Sequence, residues 1–320
     1  MKQIPEQSAM MKAVVLESYG SPEVLKVISI PVPSPKKNEV LVKIHATAVN
    51  TGDVRVRRAD PFLIRLMYGL FKPGRTTIPG MEVSGTVVAV GEEVSDFQPG
   101  DEVFGSTGWR LGGYAQYRCF PDHGKLIRKP GNCSFEEAAA VTVGGNTALY
   151  YLRDKLGLPT AKKHPFSILI YGASGSVGTI AVQLASLFGW QVTGVCSQVN
   201  VELIKSLGAT EVLDYQGKRW KMLTKRYDCV FDAVGKLARN QSRNLLKPGG
   251  KYLTVNRGLA RGSMENLIEL RDLMAEKRIN VVIDRIFDLE EAAEAHRYVE
   301  QGHKRGNVVL QLNTRPGHSG

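Results

Sequence analysis

Ser167-Ile-Leu-Ile-Tyr-Gly172-Ala-Ser-Gly175-Ser-Val-Gly178-Thr-Ile-Ala-Val-Gln-Leu-Ala-Ser-Leu-Phe188 reads as a buried strand, a glycine turn and a helix in direct succession. Ile168, Leu169 and Ile170 make an apolar run suited to a strand covered on both faces. Ile180, Leu184 and Phe188 then recur at helical spacing, with Ala181 and Ala185 giving the helix a close-packing face. Three spaced glycines are weak evidence in a chain that holds 33 of them. The strand before them and the helix after them supply the specificity. Gly172 permits the sharp turn, Gly175 lets backbone approach a pyrophosphate, and Gly178 lets the helix sit tightly on the sheet. With Ala173, Ser174, Ser176 and Val177 filling out the motif, the N–H groups at the helix start face a phosphate. The plainer alternative is a tight βα turn in an unrelated α/β protein. A hydrolase nucleophile elbow fails, because Ser176 stands where the second glycine of G-x-S-x-G is required.

The next expected strand, Gln191 to Cys196, ends about 20 residues past the glycine turn, where an acid would hold the ribose 2′-hydroxyl of NAD. No acid stands there; Cys196, Ser197, Gln198, Val199 and Asn200 follow. A neutral, hydroxyl-bearing end accepts a 2′-phosphate that a carboxylate would repel, which favours NADPH. Ser197 has a second reading, as the N-cap of the following helix. No Lys or Arg stands at this strand end, and Lys205 lies further on.

The 320 residues suit two domains with real cores. Hydrophobic content of 43% and charged content of 23% are those of a globular protein. The formal charge of +11 is spread over Arg55, Arg57, Arg58, Lys162, Lys163, Lys218 to Arg226, Lys304 and Arg305. Without a basic tail or arginine–aromatic alternation, no nucleic-acid partner is expected. The four cysteines form no CxxC, and the first ten residues hold no apolar signal core. A reducing, cytoplasmic setting is therefore expected. No apolar run reaches the roughly 20 residues that span a bilayer. A loose leader (1–10) and a loose tail (314–320) are expected at the two ends.

From Met11 to Asn132 short strands alternate with Pro/Gly turns: Lys12–Leu16, Val40–Ala46, Val83–Val90, Asp101–Phe104 and Gly113–Tyr117. From Ser134 onward helices alternate with strands: Glu136–Leu156 is largely helical, and Glu211–Tyr215, Tyr227–Ala233 and Lys251–Val255 are further parallel strands. A helix, Leu289–Gln301, and a last strand, Asn307–Leu312, return to the first domain. The expected domains are 1–134 with 279–320, and 135–278. After Val255 a full sixth strand has little room, so the parallel sheet is expected to have five strands unless the segment near Val281 joins it. An open sheet edge would favour a homodimer.

These residues resemble the zinc-free quinone oxidoreductase, or zeta-crystallin-like, branch of the medium-chain dehydrogenases/reductases. The resemblance runs from Met11 to Leu312. It is carried by Ala46-Thr-Ala-Val-Asn50-Thr-Gly-Asp53, Ile78-Pro-Gly-Met-Glu82-Val-Ser-Gly85, Pro99-Gly-Asp-Glu-Val-Phe104, Ala138 to Leu149, Tyr171 to Gly178 and Gly306-Asn-Val-Val-Leu310. It implies an α/β protein: a GroES-like β-rich catalytic domain split around a Rossmann domain, with the active site in the cleft between them. Zinc-dependent relatives carry a Cys near the Asn50–Asp53 segment and a His at the position of Met81. This chain has no Cys before Cys119, and no cysteines between Gly105 and Tyr114 for a structural zinc. A thioether does not replace an imidazole on Zn²⁺, so no metal is expected.

The implied reaction is hydride transfer from the nicotinamide of NADPH to a quinone or to the β-carbon of an enone. Asn50 would orient the nicotinamide or the acceptor oxygen. Asp53 matches the family's polar loop position, with a structural cap as the equal alternative, and Tyr68 joins these two as a candidate catalytic side chain. Zeta-crystallin-like members carry Tyr two residues after this Asp; here Arg55 stands there, which points to an anionic or carbonyl-bearing acceptor. The implied cofactor contacts are Gly172 to Gly178, Thr147, Ser197, Tyr215, Val234, Gly235 and Asn307. Many relatives have Lys at the last position, and Tyr215 reads equally well as core packing. Phe62-Leu-Ile-Arg-Leu-Met-Tyr68-Gly-Leu-Phe71 is an apolar insertion with three readings: a packed helix, a lid over a hydrophobic substrate, or a peripheral membrane contact. The alternative function is a non-catalytic NADPH-binding or regulatory protein on the same scaffold, since no acid/base residue is identifiable.

Overall fold

The computed structural model describes residues 9–74, 77–157, 166–256, 260 and 262–312. The chain forms two compact units, Met1–Thr142 with Ile283–Gly320, and Val143–Val282. The expected leader falls outside the described residues up to 8, and the tail from 314 lies outside them altogether; Met10 already belongs to the first strand.

The first unit opens with a hairpin of β1 (Met10–Leu16) and β2 (Leu25–Pro31). β3 (Glu39–Val49) follows, then two short helices, α1 (Thr51–Arg58) and α2 (Ile64–Tyr68). Strands β4 (Glu82–Val90), β5 (Glu102–Ser106), β6 (Tyr117–Pro121) and β7 (Leu126–Arg128) come next. β3 is the centre of a seven-stranded sheet, pairing antiparallel with β4, β6 and the last strand of the chain. Its Val40, Leu41, Val42, Ile44, Ala46 and Ala48 are all buried, because the strand is covered along most of its length. The expected strand Gly113–Tyr117 is absent. Ala115 makes a lone bridge to Ala13, and the regular strand begins at Tyr117, since the N–H groups of Gly112, Gly113 and Tyr114 are taken up by Pro79 O and Gly80 O.

Helix α3 (Phe135–Leu149) passes the unit boundary and continues as a wider helical turn, Tyr150–Lys155. The second unit then alternates β8 (Ser167–Tyr171), α4 (Ser176–Leu187), β9 (Gln191–Cys196), α5 (Val201–Ser206), β10 (Glu211–Asp214), α6 (Lys218–Lys221), β11 (Tyr227–Asp232), α7 (Arg239–Asn244), β12 (Leu246–Thr254) and α8 (Met264–Ala275). Its strands are all parallel, in the order β10-β9-β8-β11-β12. The chain winds outward from β8 to β10, then returns to the other side of β8 for β11. The end of β8 is thus the point where strand order reverses, the usual ligand crevice of such sheets. Ile168, Leu169 and Ile170 are fully buried as their apolar run requires, and Leu169, Val195, Leu213, Trp220, Tyr227 and Val230 form one core cluster.

Among the described residues the parallel sheet has five strands. Residues 279–282 form no strand. The chain instead adds β13 (Ile283–Asp288) parallel to β14 (Asn307–Gln311) at the edge of the first unit's sheet, with α9 (Ala292–Glu300) between them. β13 carries the charged residues Asp284, Arg285 and Asp288 and fully buries none of its residues, so no apolar rhythm announces it.

Asp228 ties the starts of three parallel strands. Its Oδ2 accepts from the Ser167 N–H at 2.9 Å, the Ser167 hydroxyl at 2.7 Å and Lys247 Nζ at 2.8 Å. Burial opposes its ionisation, but Lys247 and Ser167 overcome that and hold the carboxyl well below its ordinary 3.8. The stabilisation is therefore present above pH 3.8 and is lost as pH falls toward the depressed value. Asp228→Ala should cost about 1–3 kcal/mol at neutral pH. Thermal melts of variant and parent should converge as the pH is lowered below 3.8.

Candidate active site

The glycine turn is built as a phosphate cradle. Gly172 turns at φ +77°, and a Cβ there would come within 2.6 Å of Val234. A Cβ on Gly178 would lie 2.2 Å from the Gly172 carbonyl oxygen, so only glycine lets α4 approach the strand end this closely. Gly175 differs: a Cβ there would meet nothing nearer than 3.6 Å. The protein leaves that space open in front of the α4 N-terminus, where the N–H groups of Ser176, Val177 and Gly178 begin the helix with no side-chain cap. Backbone N–H groups and open space are the complement of a pyrophosphate. Ala173 is fully buried beneath the turn, and Ser174 is half-buried in it.

The neighbouring strand ends carry the other expected contacts. Ser197 follows β9, and its hydroxyl accepts from Asn200 Nδ2 at 2.9 Å; it caps nothing. The Asn200 amide oxygen is buried without a partner, and amide rotation could present either end to a ribose substituent. Tyr215 is set at the end of β10 by its N–H donating to Cys196 O at 3.0 Å, and its half-buried ring packs on the core cluster. Thr147 lies on α3, its hydroxyl bonded back to Val143 O at 2.7 Å. Val234 and Gly235 follow β11 in a loop organised by Asp232, which sequence reasoning missed. The fully buried Asp232 carboxylate accepts from the N–H groups of Val234, Gly235, Lys236 and Leu237 at 3.2, 2.8, 3.3 and 2.9 Å. Asn307 begins β14 in the first unit and is buried there.

In the first unit, Asn50 and Asp53 form a capping box on α1. Asn50 Oδ1 accepts from Gly52 N at 2.7 Å and Asp53 N at 3.1 Å, and Asp53 Oδ2 accepts from Asn50 N at 3.1 Å. Asp53 Oδ1 reaches across to Gly80 N at 3.2 Å, which locks the turn carrying Met81. Asp53 is fully buried and so acts through its neighbours. Asn50 is different. Its Oδ1 is committed twice, while its Nδ2 is buried with no partner and is free to donate.

Behind Asp53 stands a chain of donors whose direction is fixed by chemistry. Arg57 Nε can only donate, so His296 Nδ1 accepts from it at 3.3 Å. Burial, reinforced by the Arg57 charge, holds His296 neutral, its value lowered to about 3. The remaining proton is then on Nε2 and is donated to the Tyr114 oxygen at 3.1 Å. Tyr114 in turn donates to Asp53, and its own value is pushed well above 10 by burial and by the nearby carboxylates. Arg57 is fully buried and pairs with Glu300 and the Gly20 carbonyl. Arg57, Tyr114 and His296 lie up to 239 positions apart, so no local pattern joins them.

Tyr68 closes α2. Its hydroxyl donates to Trp109 O at 2.8 Å, and burial with the charge of Asp53 raises it to about 12. It stays protonated at neutral pH. Arg55 is on the exposed face of α1. Met81 Sδ lies beside Gly52, 3.1 Å from where a Cβ on it would be. Among the described residues no cluster of three His, Cys, Asp or Glu ligand atoms includes Asp53, whose oxygens accept from Asn50 N, Gly80 N and Tyr114, and a thioether such as Met81 is a poor donor to Zn²⁺. Among the described residues, the one converging trio of His, Cys, Asp or Glu is Asp96, Asp122 and His123, on loops after β4 and β6.

The alcohol dehydrogenase GroES-like domain family matches residues 36–131, and the zinc-binding dehydrogenase family matches residues 176–300. A chloroplastic quinone-oxidoreductase of Triphysaria versicolor is 33% identical, over 94% of this chain and 98% of its own length. A chloroplastic NADPH-dependent alkenal/one oxidoreductase of Arabidopsis thaliana is 31% identical, over 94% and 79%. The solved quinone oxidoreductase of Coxiella burnetii superposes with a TM-score of 0.84 at 29% identity, covering 95% of this chain and 100% of that one.

Burial raises the Asp53 carboxyl to about 7, against the pull of its Asn50, Gly80 and Tyr114 donors. A raised value means that the native state prefers the protonated form. That contribution is full below pH 3.8 and is lost as pH rises through about 7. Asp53→Asn cannot titrate but opposes an amide donor to these N–H groups, a cost of about 1–3 kcal/mol. The deficit of the variant in melting temperature should therefore shrink as pH rises from 3.8 to about 7.

Proposed function

The chain belongs to the quinone oxidoreductase branch of the medium-chain dehydrogenase/reductase superfamily, and from that premise we propose that it is a zinc-independent, NADPH-dependent reductase of quinones or α,β-unsaturated carbonyls. The observation that carries this reading is the Asn50 amide, a buried donor with its oxygen pinned and its nitrogen unsatisfied. Such a group is placed to hydrogen-bond an oxygen that gains charge as hydride arrives at a conjugated carbon. Nicotinamide supplies the hydride. The chain supplies position: the glycine turn holds the pyrophosphate, and the capping box fixes the amide. With Met81 in place of a metal-binding imidazole, generating alkoxide from a simple alcohol is disfavoured, whereas reducing an already electrophilic acceptor needs no Lewis acid.

NADPH is favoured over NADH because Ser197 and Asn200 offer neutral hydrogen-bonding groups where a carboxylate would repel a 2′-phosphate. The name of the Arabidopsis relative supports the same choice.

Purified protein, exhaustively chelated, should consume NADPH with a panel of quinones and enones. Binding of NADPH without turnover on any of them would instead favour a non-catalytic, NADPH-binding role. Asn50→Ser keeps an N-cap oxygen but withdraws the amide nitrogen, leaving a shorter hydroxyl that ends at the cap; it should lower kcat on the order of 10²-fold with the melting temperature nearly unchanged. Ser197→Asp should reverse the cofactor preference in a titration of both nucleotides. Tighter binding of NADH by the unmodified protein would defeat the assignment.

A further inference from the structure

The segment Phe62–Phe71 turns its apolar side chains outward. Phe62, Leu63, Leu66, Met67, Leu70 and Phe71 are all exposed, Phe71 by 87%. The segment is nevertheless anchored. Ile64 packs inward, Tyr68 donates to Trp109 O, the Tyr19 hydroxyl donates to Gly69 O at 2.8 Å, and the Arg65 guanidinium lies 4.8 Å from the Tyr19 ring centre. A fixed scaffold holding six large apolar groups in water is an interaction surface. Trp109, 45% exposed, adjoins it through the Tyr68 bond.

The surrounding charge identifies the partner. Between Pro61 and Met81 there is no Asp or Glu, but there are Arg65, Lys72 and Arg75; between Val103 and Pro121 there is again no acid, but there are Arg110 and Arg118. Lys72 and Arg110 are exposed, as are Arg55 and Arg58 on α1, with Asp60 the acid at the segment's start. A second copy of the chain would bring this basic set against itself across a two-fold axis, which disfavours self-association. Apolar and aromatic tips directly followed in the chain by exposed cations, Phe71 by Lys72 and Trp109 by Arg110, match a lipid surface of negative charge. Among the described residues no helix is long and apolar enough to cross a membrane, so the contact is peripheral.

We propose that Phe62–Phe71, with Trp109, Lys72 and Arg110, docks this protein on anionic phospholipid bilayers. The test is flotation with phosphatidylcholine vesicles with and without phosphatidylglycerol. The protein should float only with the anionic vesicles and should release as salt is raised. The Trp109 emission should shift to the blue on binding, a readable change because Trp190 and Trp220 are buried. Lys72→Glu with Arg110→Glu should weaken partitioning on the order of 30-fold or more, and Leu66→Ser with Phe71→Ser should abolish the emission shift. All four positions are exposed, so the melting temperature should hold. Absence of flotation by the parent protein would overturn the proposal, as would unchanged binding by the Ser pair. Concentration-dependent self-association in lipid-free buffer, lost in the Ser pair, would assign the surface to a second copy and overturn it equally.

Discussion

The first unit depends on one buried carboxylate. Asp53 closes the α1 cap through Asn50 N, pins the Gly80–Met81 turn through Gly80 N, and terminates the donor chain that begins at Arg57. The first connection is local, but the other two join segments distant in sequence, so the carboxylate fixes geometry that β-pairing alone would leave open. Low dielectric makes such a network valuable when complete and costly when broken. Its polarity is determined at one end, because an arginine can only donate. That single restriction sets the histidine tautomer, the tyrosine hydroxyl direction and the acceptor role of Asp53.

The second unit uses the same device in another form. Asp232, at the end of β11, gathers four successive backbone N–H groups and so shapes the loop bearing Val234. Val234 in turn occupies the space that a side chain on Gly172 would need. A carboxylate on one strand thereby supports the glycine turn on its neighbour. Open space at Gly175 is the counterpart of crowding at Gly172 and Gly178, a contrast that a ligand cradle requires.

What could be read in the sequence follows from the range of the forces involved. The strand–turn–helix of β8 and α4 was legible because buried strands, helical spacing and glycine sterics are local. The order of motifs from Ala46 to Leu310 carried the resemblance that implied the fold class. Asn50 and Asp53 were legible as a pair, but the reciprocal cap and the unsatisfied Nδ2 were not, since hydrogen-bond direction requires coordinates. Arg57, Tyr114 and His296 gave no signal; His296 reads in sequence as an ordinary helix residue. β13 was missed because an edge strand rich in charge lacks the period-two apolar pattern. Gly113–Tyr117 misled because its first N–H groups donate to the Pro79–Gly80 backbone rather than to a neighbouring strand.

Local rules fail at two places in the first unit, and the failures flank α1. Before it, Asn50 keeps a donor buried and unpaired, a cost of about 1–3 kcal/mol that a purely structural residue would not sustain. After it, the chain exposes apolar side chains that an ordinary loop would replace with polar ones. Neither departure arises from poor packing, since the cap and the Tyr19, Tyr68 and Arg65 contacts hold both segments firmly. Rigid support beneath an unsatisfied group is the physical signature of a surface kept for something else. In the proposed reading the amide meets an oxygen atom small enough to reach a buried nitrogen, and the apolar segment meets a surface that is broad and apolar. The two demands are chemically different, which keeps the proposed site of reaction separate from the proposed site of attachment.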